Sequence, residues 1–254
     1  MAIYPELKNR IIGITGAAEG IGASTARAFA DQGATLALVD INADGMDKVM
    51  STLPPARGRT IAVVADVTDP QSVAMAMARI NAELGGLDVL INCAGGYGRL
   101  ATVEDMPIDE WDQTIALNLR SVFLFTKAAI PSIKRSKAGR IINVASISGR
   151  TVFANSSPAY GAAKAGVIQF TRFLAYQLGP DGITSNAIAP ITTLTPRVAA
   201  LRTQEDVERI ASQVPLRRLA IPEDHAQAML FLASDSAAYL NGVTLDINGG
   251  RVMM

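Results

Sequence analysis

From residue 10 onward, short β-branched apolar runs alternate with longer stretches whose apolar positions recur every three to four residues. The runs fall at 11–15, 35–39, 60–65, 87–92, 139–144, 183–188 and 243–247. Most are apolar throughout rather than at every second position, the pattern of strands covered on both faces. The intervening helical patterns lie at 20–32, 69–84, 109–135, 158–178 and 222–233. Start and stop signals agree with these limits. Asp69-Pro70 supplies a capping carboxylate and then proline at the first helical position, Glu223 and Asp224 follow Pro222 in a first turn, and Gly33 and Gly179 follow helix ends. The alternation predicts an α/β fold, and right-handed crossovers make it a doubly wound, seven-stranded parallel sheet with helices on both faces. No linker, low-complexity segment or repeat interrupts it, so one domain over 1–254 is expected. Its two halves divide near residue 145. The least regular stretch, 189–215, is rich in Thr and Pro and then polar and helix-like. It leaves the carboxyl end of a strand, where open α/β sheets bind ligands.

Composition narrows the classes. With 49% hydrophobic and 18% charged residues, the 254-residue chain has the apolar surface a packed core needs. Twenty-three basic residues cancel twenty-three acidic ones without a dense Lys/Arg run, so no nucleic-acid partner is expected. No apolar stretch reaches the roughly 20 residues of a membrane span. The N-terminus, with Glu6 and Lys8, lacks a signal-peptide pattern, and a cytoplasmic location is expected. The single cysteine, Cys93, reads as a small apolar residue. The single histidine, His225, reads as structural or superficial, and without a His/Cys cluster no metal is expected.

The first chemical signal follows the first strand. Thr15-Gly16-Ala17-Ala18-Glu19-Gly20-Ile21-Gly22 places glycines so that the chain turns sharply and presents a helix N-terminus, with backbone N–H groups free to meet a pyrophosphate. The spacing is G-x-x-x-G-x-G. Eighteen residues past Gly22, Asp40 ends the second strand. A carboxylate there accepts hydrogen bonds from ribose hydroxyls and repels a 2′-phosphate. Glu19 adds negative charge and no Arg or Lys stands at either position, so NAD is preferred to NADP in this Rossmann-type arrangement. Ile41 and Val67 follow Asp40 and Asp66 onto the same rim, and Asn92 with Ala94 and Gly95 ends the fourth strand at that edge.

The second signal is Tyr160-Gly161-Ala162-Ala163-Lys164, a phenol and an ammonium at i and i+4 and therefore on one helical face. The expectation is that Lys164 brings the phenol, ordinarily near pH ~10, toward the working range of a general base. Ser146, fourteen residues earlier at the end of the fifth strand, can hydrogen-bond a reacting oxygen.

In this order the motifs resemble the short-chain dehydrogenase/reductase family from Arg10 to Gly250. The phosphate turn matches Thr15 to Gly22, the N-x-A-G segment Asn92 to Gly95, and the catalytic quartet Asn118, Ser146, Tyr160 and Lys164. The resemblance implies an NAD-dependent oxidoreductase acting on a secondary alcohol or ketone. In it Ser146 polarises the substrate oxygen, Tyr160 exchanges its proton, Lys164 holds the nicotinamide ribose and Asn118 holds a water in a proton relay. It also implies a homotetramer packed through the helices carrying Asn118 and Tyr160 and through the last strand. Pro190, Ile191 and Thr195 would meet the nicotinamide side. Members usually have Pro-Gly where this chain has Pro190-Ile191, and Ile191 lacks glycine's freedom at positive φ, so this loop is expected to run differently.

The walls 96–100, 147–155 and 191–210 mix apolar residues such as Val152 and Phe153 with Arg99, Arg150, Arg197 and Arg202, which suits a polar alcohol such as a sugar derivative or hydroxy acid. Two rival readings are weaker. A Ser146 hydrolase needs a base beside the serine, and His225 is in no such context. A binding-only dinucleotide module has no use for the matched quartet.

Overall fold

A computed structural model describes residues 2–54, 58–153, 156–200 and 202–253. Of the expected pocket walls, Ala154, Asn155 and Leu201 lie outside the described residues. Seven parallel strands form one sheet in the order β3-β2-β1-β4-β5-β6-β7. They are β1 (Ile11–Thr15), β2 (Thr35–Asp40), β3 (Thr60–Val64), β4 (Val89–Asn92), β5 (Arg140–Val144), β6 (Thr184–Pro190) and β7 (Thr244–Ile247). The single-domain α/β architecture expected from the pattern is the one observed. The two central strands, β1 and β4, pair in register Ile14 to Ile91, and the chain winds outward from them in both directions. That reversal opens a crevice at the carboxyl ends of the strands.

Burial follows sheet position. β5 and β6 are buried at every residue, whereas the edge strand β3 alternates and β7 is half-buried throughout. On one face α1 (Gly20–Asp31), α2 (Ala43–Ser51) and α9 (Pro222–Ala233) close a core around Phe29, Leu36, Leu38, Met46 and Met229. On the other, α3 (Pro70–Leu84), α5 (Ser121–Ile133) and α6 (Pro158–Leu178) enclose Ile80, Leu90, Phe125, Ile133 and Leu174.

Three departures from the sequence pattern have physical causes. Helix α2 has too little apolar periodicity to announce itself; Asn42 starts it by accepting from the Gly45 N–H at 3.0 Å. The stretch 109–135 is not one helix. It divides into α4 (Ile108–Ile115), a wide π turn (Ala116–Arg120) and α5, with the Ser121 N–H donating five residues back to the Ala116 carbonyl. The Ser121 hydroxyl also bonds the Leu117 carbonyl. The irregular 189–215 segment contains α7 (Pro196–Ala200) and α8 (Gln204–Ser212), the latter started by a reciprocal Thr203–Asp206 cap.

Candidate active site

The crevice is a cavity of about 610 Å³. Its phosphate-turn end is built by backbone approach. A Cβ on Gly22 would lie 2.0 Å from the Gly16 carbonyl oxygen, so only glycine lets α1 start this close to β1. No side chain caps α1 at Glu19, which leaves its first N–H groups open toward the cavity. At the end of β2, the Asp40 oxygens accept from the Ala18 and Asn42 N–H groups, each at 3.0 Å. The carboxylate is thereby held at the rim with lone pairs to spare. Asp66 accepts from both the N–H and the hydroxyl of Thr68 at 2.8 and 2.7 Å, which orders the turn after β3. Free helix N–H groups, glycine-permitted close approach and a fixed carboxylate together fit a dinucleotide.

The catalytic end is organised by α6. Ser157 caps the helix by accepting from the Tyr160 N–H at 3.3 Å, which puts Tyr160 in the first turn and Lys164 one turn deeper. Tyr160 reaches the cavity with Tyr97 edge-on to it, centroids 6.0 Å apart. Lys164 is 2% exposed; its ammonium lies 5.6 Å from the Tyr160 ring centre and donates to the Val144 carbonyl at 2.8 Å. Ser146, on the turn after β5, accepts from the Ser148 N–H at 3.2 Å.

Burial sets the protonation states. It pushes the Tyr160 phenol up to about 12, opposed by hydrogen bonding with Ser146. It pushes the Lys164 ammonium down to about 8 and the Cys93 thiol up to about 12. Burial thus works against the lowering expected from Lys164, whose ammonium lies beside the ring. In this geometry the lowering influence is Ser146, and the lysine is itself biased toward its neutral form by desolvation.

Asn118 sits in the π turn with no exposure. Its Oδ1 accepts from the Gly96 N–H at 3.0 Å, and its amide donates to the Gly96 and Thr114 carbonyls at 2.9 and 3.0 Å. Both amide hydrogens are spent inside the protein, so the side chain acts as a clamp on Gly96 and has none left to donate to a relay water. Gly95, at φ 157°, threads between the clamp and the lysine. A Cβ there would lie 2.7 Å from Asn118 Oδ1 and 3.2 Å from Lys164 Nζ.

Of the expected catalytic and cofactor-binding residues, all line the cavity except Asn118 and Asn92. Asn92 corrects the sequence reading. It is buried and donates to Asn143 Oδ1 at 2.8 Å and Thr126 Oγ1 at 3.0 Å, so it ties β4 to β5 and α5 instead of facing a cofactor. Ile191 has no positive φ; its side chain is buried with Ile147 and Val214. The loop accommodates the missing glycine by packing.

Sequence reasoning missed the brace on that loop. The Thr193 hydroxyl donates to the Ile191 carbonyl at 2.8 Å, leaving its oxygen to accept from His225 Nε2 at 2.7 Å. His225 Nδ1 has no partner among the described residues, and burial pushes the imidazole down to about 4. Tyr97, also missed as an individual, had no sequence signal beyond its place in the 96–100 wall. Among the described residues no group of three His, Cys, Asp or Glu side chains is placed to hold a metal, and no helix is long and apolar enough to cross a membrane.

Comparison with known proteins agrees with this architecture. A family model described as Enoyl-(Acyl carrier protein) reductase matches residues 16–251. The chain is 43% identical to cis-4-hydroxycyclohexanecarboxylate dehydrogenase of Sinomonas cyclohexanicum, over 95% of this chain and 96% of that protein. It is 37% identical to D-threitol dehydrogenase of Mycolicibacterium smegmatis, over 96% and 93%. The ligand-free aldohexose dehydrogenase of Thermoplasma acidophilum superposes with a TM-score of 0.87 at 29% identity, covering 98% of this chain and 96% of that one. With relatives of this identity along nearly its whole length, and a tyrosine, lysine and serine converging at the sheet's carboxyl edge, the chain belongs to the short-chain dehydrogenase/reductase family.

Proposed function

We propose that the protein is an NAD-dependent oxidoreductase that interconverts a secondary alcohol and its ketone, with Tyr160 as the acid/base. The observation that carries this reading is the meeting of Tyr160, Ser146 and Lys164 on one wall of a cleft whose opposite end presents Asp40 and the open N-terminus of α1. A bound nicotinamide cofactor supplies hydride acceptance and donation. The chain would hold it at the phosphate turn, at Asp40 and along the 190–195 loop, with Lys164 reaching toward its ribose.

The rest is done by the protein. Ser146 offers its hydroxyl to the substrate oxygen and orients it toward Tyr160. In ketone reduction Tyr160 gives its proton to the developing alkoxide. In alcohol oxidation the phenolate takes the hydroxyl proton. The relatives' names point to polar alcohols, a hydroxycycloalkane carboxylate, a tetritol and an aldohexose, and we infer that the substrate is a polar alcohol of this kind.

The test is cofactor reduction across a panel of secondary alcohols. Tyr160→Phe should lower kcat by about 10²–10⁴, and equal activity in the two proteins sinks the mechanism. NAD preference rests on Asp40, which no described cation neutralises. Asp40→Arg should raise kcat/KM for NADP and lower it for NAD; unchanged selectivity would remove Asp40 from cofactor choice.

A further inference from the structure

Of the five arginines on segments expected to wall the pocket, Arg209 pairs with Asp206 on α8 at 2.7 Å, and the structure divides the other four. Arg99 is engaged by Glu110, which accepts from its N–H at 3.0 Å and lies 3.6 Å from its guanidinium. Arg150 turns to β7 and pairs with Asp246 at 2.9 Å. Neither lines the cavity. Arg197 and Arg202 do, and neither forms a salt bridge with a described residue.

The location of Arg197 relative to the chemistry is set by three consecutive residues. Gly95 backs onto Lys164 and Asn118, Gly96 faces the Arg197 guanidinium, which would be 3.7 Å from a Cβ there, and the Tyr97 ring meets Tyr160. Arg197 therefore meets the same 95–97 strip that contacts Lys164 and Tyr160. The lining carboxylates are Glu19, Asp40 and Asp66, which follow β1, β2 and β3. The lining cations are Lys164 on α6 and Arg197 and Arg202 on the segment after β6, whose Thr195 side chain reaches the phosphate turn, 3.3 Å from where a Cβ on Gly20 would lie. The cavity lining also includes the apolar and aromatic side chains of Tyr97, Ile147, Phe153 and Val198, together with the hydroxyls of Ser148, Ser156 and Thr192. A carbon frame bearing one anionic group finds both a surface and a charge.

Resting on the alcohol-oxidoreductase reading above, we propose that Arg197 and Arg202 form a carboxylate subsite and that the substrate is a hydroxy acid whose carboxylate is separated from its carbinol carbon by an apolar frame. The guanidinium fork suits a carboxylate in a two-point contact.

The experiment compares 4-hydroxycyclohexanecarboxylate with its methyl ester, in the wild type and in Arg197→Met, Arg202→Met and the corresponding Lys variants. Turnover with NAD is followed, and calorimetric binding of the same two compounds to the NADH-saturated protein gives a second readout. The wild type should favour the acid over the ester by at least about 10-fold in kcat/KM. Each Met variant should raise KM for the acid by about 10–100-fold, the range for losing a charged hydrogen bond. KM for the ester and for NAD should be unmoved, and Lys should restore part of the loss.

Equal use of acid and ester by the wild type overturns the subsite while leaving the alcohol reaction standing. So does a rise in KM for NAD, which would assign the guanidinium to the cofactor's phosphates. Arginine-dependent binding of the acid without turnover supports the subsite and counts instead against the reaction.

Discussion

Lys164 shows how a single residue here trades stability for chemistry. Its burial depresses the ammonium to about 8 from 10.5, so between those values the unfolded chain binds more protons than the folded one and stability rises with pH. Below pH 8 the folded protein carries the full penalty, about 3 kcal/mol at 1.4 kcal/mol per unit, offset in part by the bond to the Val144 carbonyl. Lys164→Met should be inactive yet no less stable at pH 7, and should lack the alkaline rise; urea unfolding at pH 7 and 10 reads both. The Tyr160–Lys164 spacing was legible because i, i+4 positions share a helical face. The burial that opposes the lysine's influence was not, because spacing carries no information about how much water each group keeps. Ser146 is the group that lowers the phenol, so Ser146→Ala should move the alkaline limb of the oxidation rate to higher pH, measured from kcat profiles in both directions.

At the scale of elements, the π turn and the 191–195 loop were the parts hardest to foresee. The apolar pattern across 109–135 is continuous, and what divides it is a pair of local choices, the Ser121 hydroxyl on a carbonyl and Asn118 holding Gly96 from the widened turn. Asn118→Ala would free Gly96 and should lower kcat/KM with little change in the cofactor's KM. The loop depends on helix α9 through His225. The imidazole pKa stands near 4 against 6.5 when unfolded, so the unfolded chain takes up more protons in that window and stability falls as pH drops through it. The loss amounts to about 3 kcal/mol between pH 7 and pH 4. His225→Leu should flatten this acid limb at fixed protein concentration. A wild type as stable at pH 4.5 as at pH 7 would show that the buried imidazole accepts a proton without cost.

For the whole molecule, the doubly wound parallel sheet was legible, since strand–helix alternation and right-handed crossovers leave few ways to wind it, and the strand order came from the structure. Assembly is a further step. Ile108, Phe123, Phe173 and Tyr176 are exposed along α4, α5 and α6, and we propose that these helices pack a homotetramer, with Tyr239 and Met253 near the last strand adding a second apolar surface. Light scattering should give four chains per particle. Phe173→Glu with Tyr176→Glu should reduce that number, and a wild-type monomer would refute it.

The sequence by itself determined the sheet, the glycine turn, the carboxylate at Asp40 and the identity of the serine, tyrosine and lysine, because each is specified by local spacing or by a strand–helix boundary. Tertiary structure decided the rest. Asn92 became a strap between strands rather than a wall, Ile191 found an apolar nest that removes the need for glycine, and His225 became a buried brace. Of the arginines on the pocket segments, Arg99 and Arg150 were neutralised by Glu110 and Asp246, and Arg197 and Arg202 were left facing the cleft. These outcomes depend on which partner from a distant segment arrives at hydrogen-bond distance, and on how much water burial removes, neither of which is written in the order of residues along one segment.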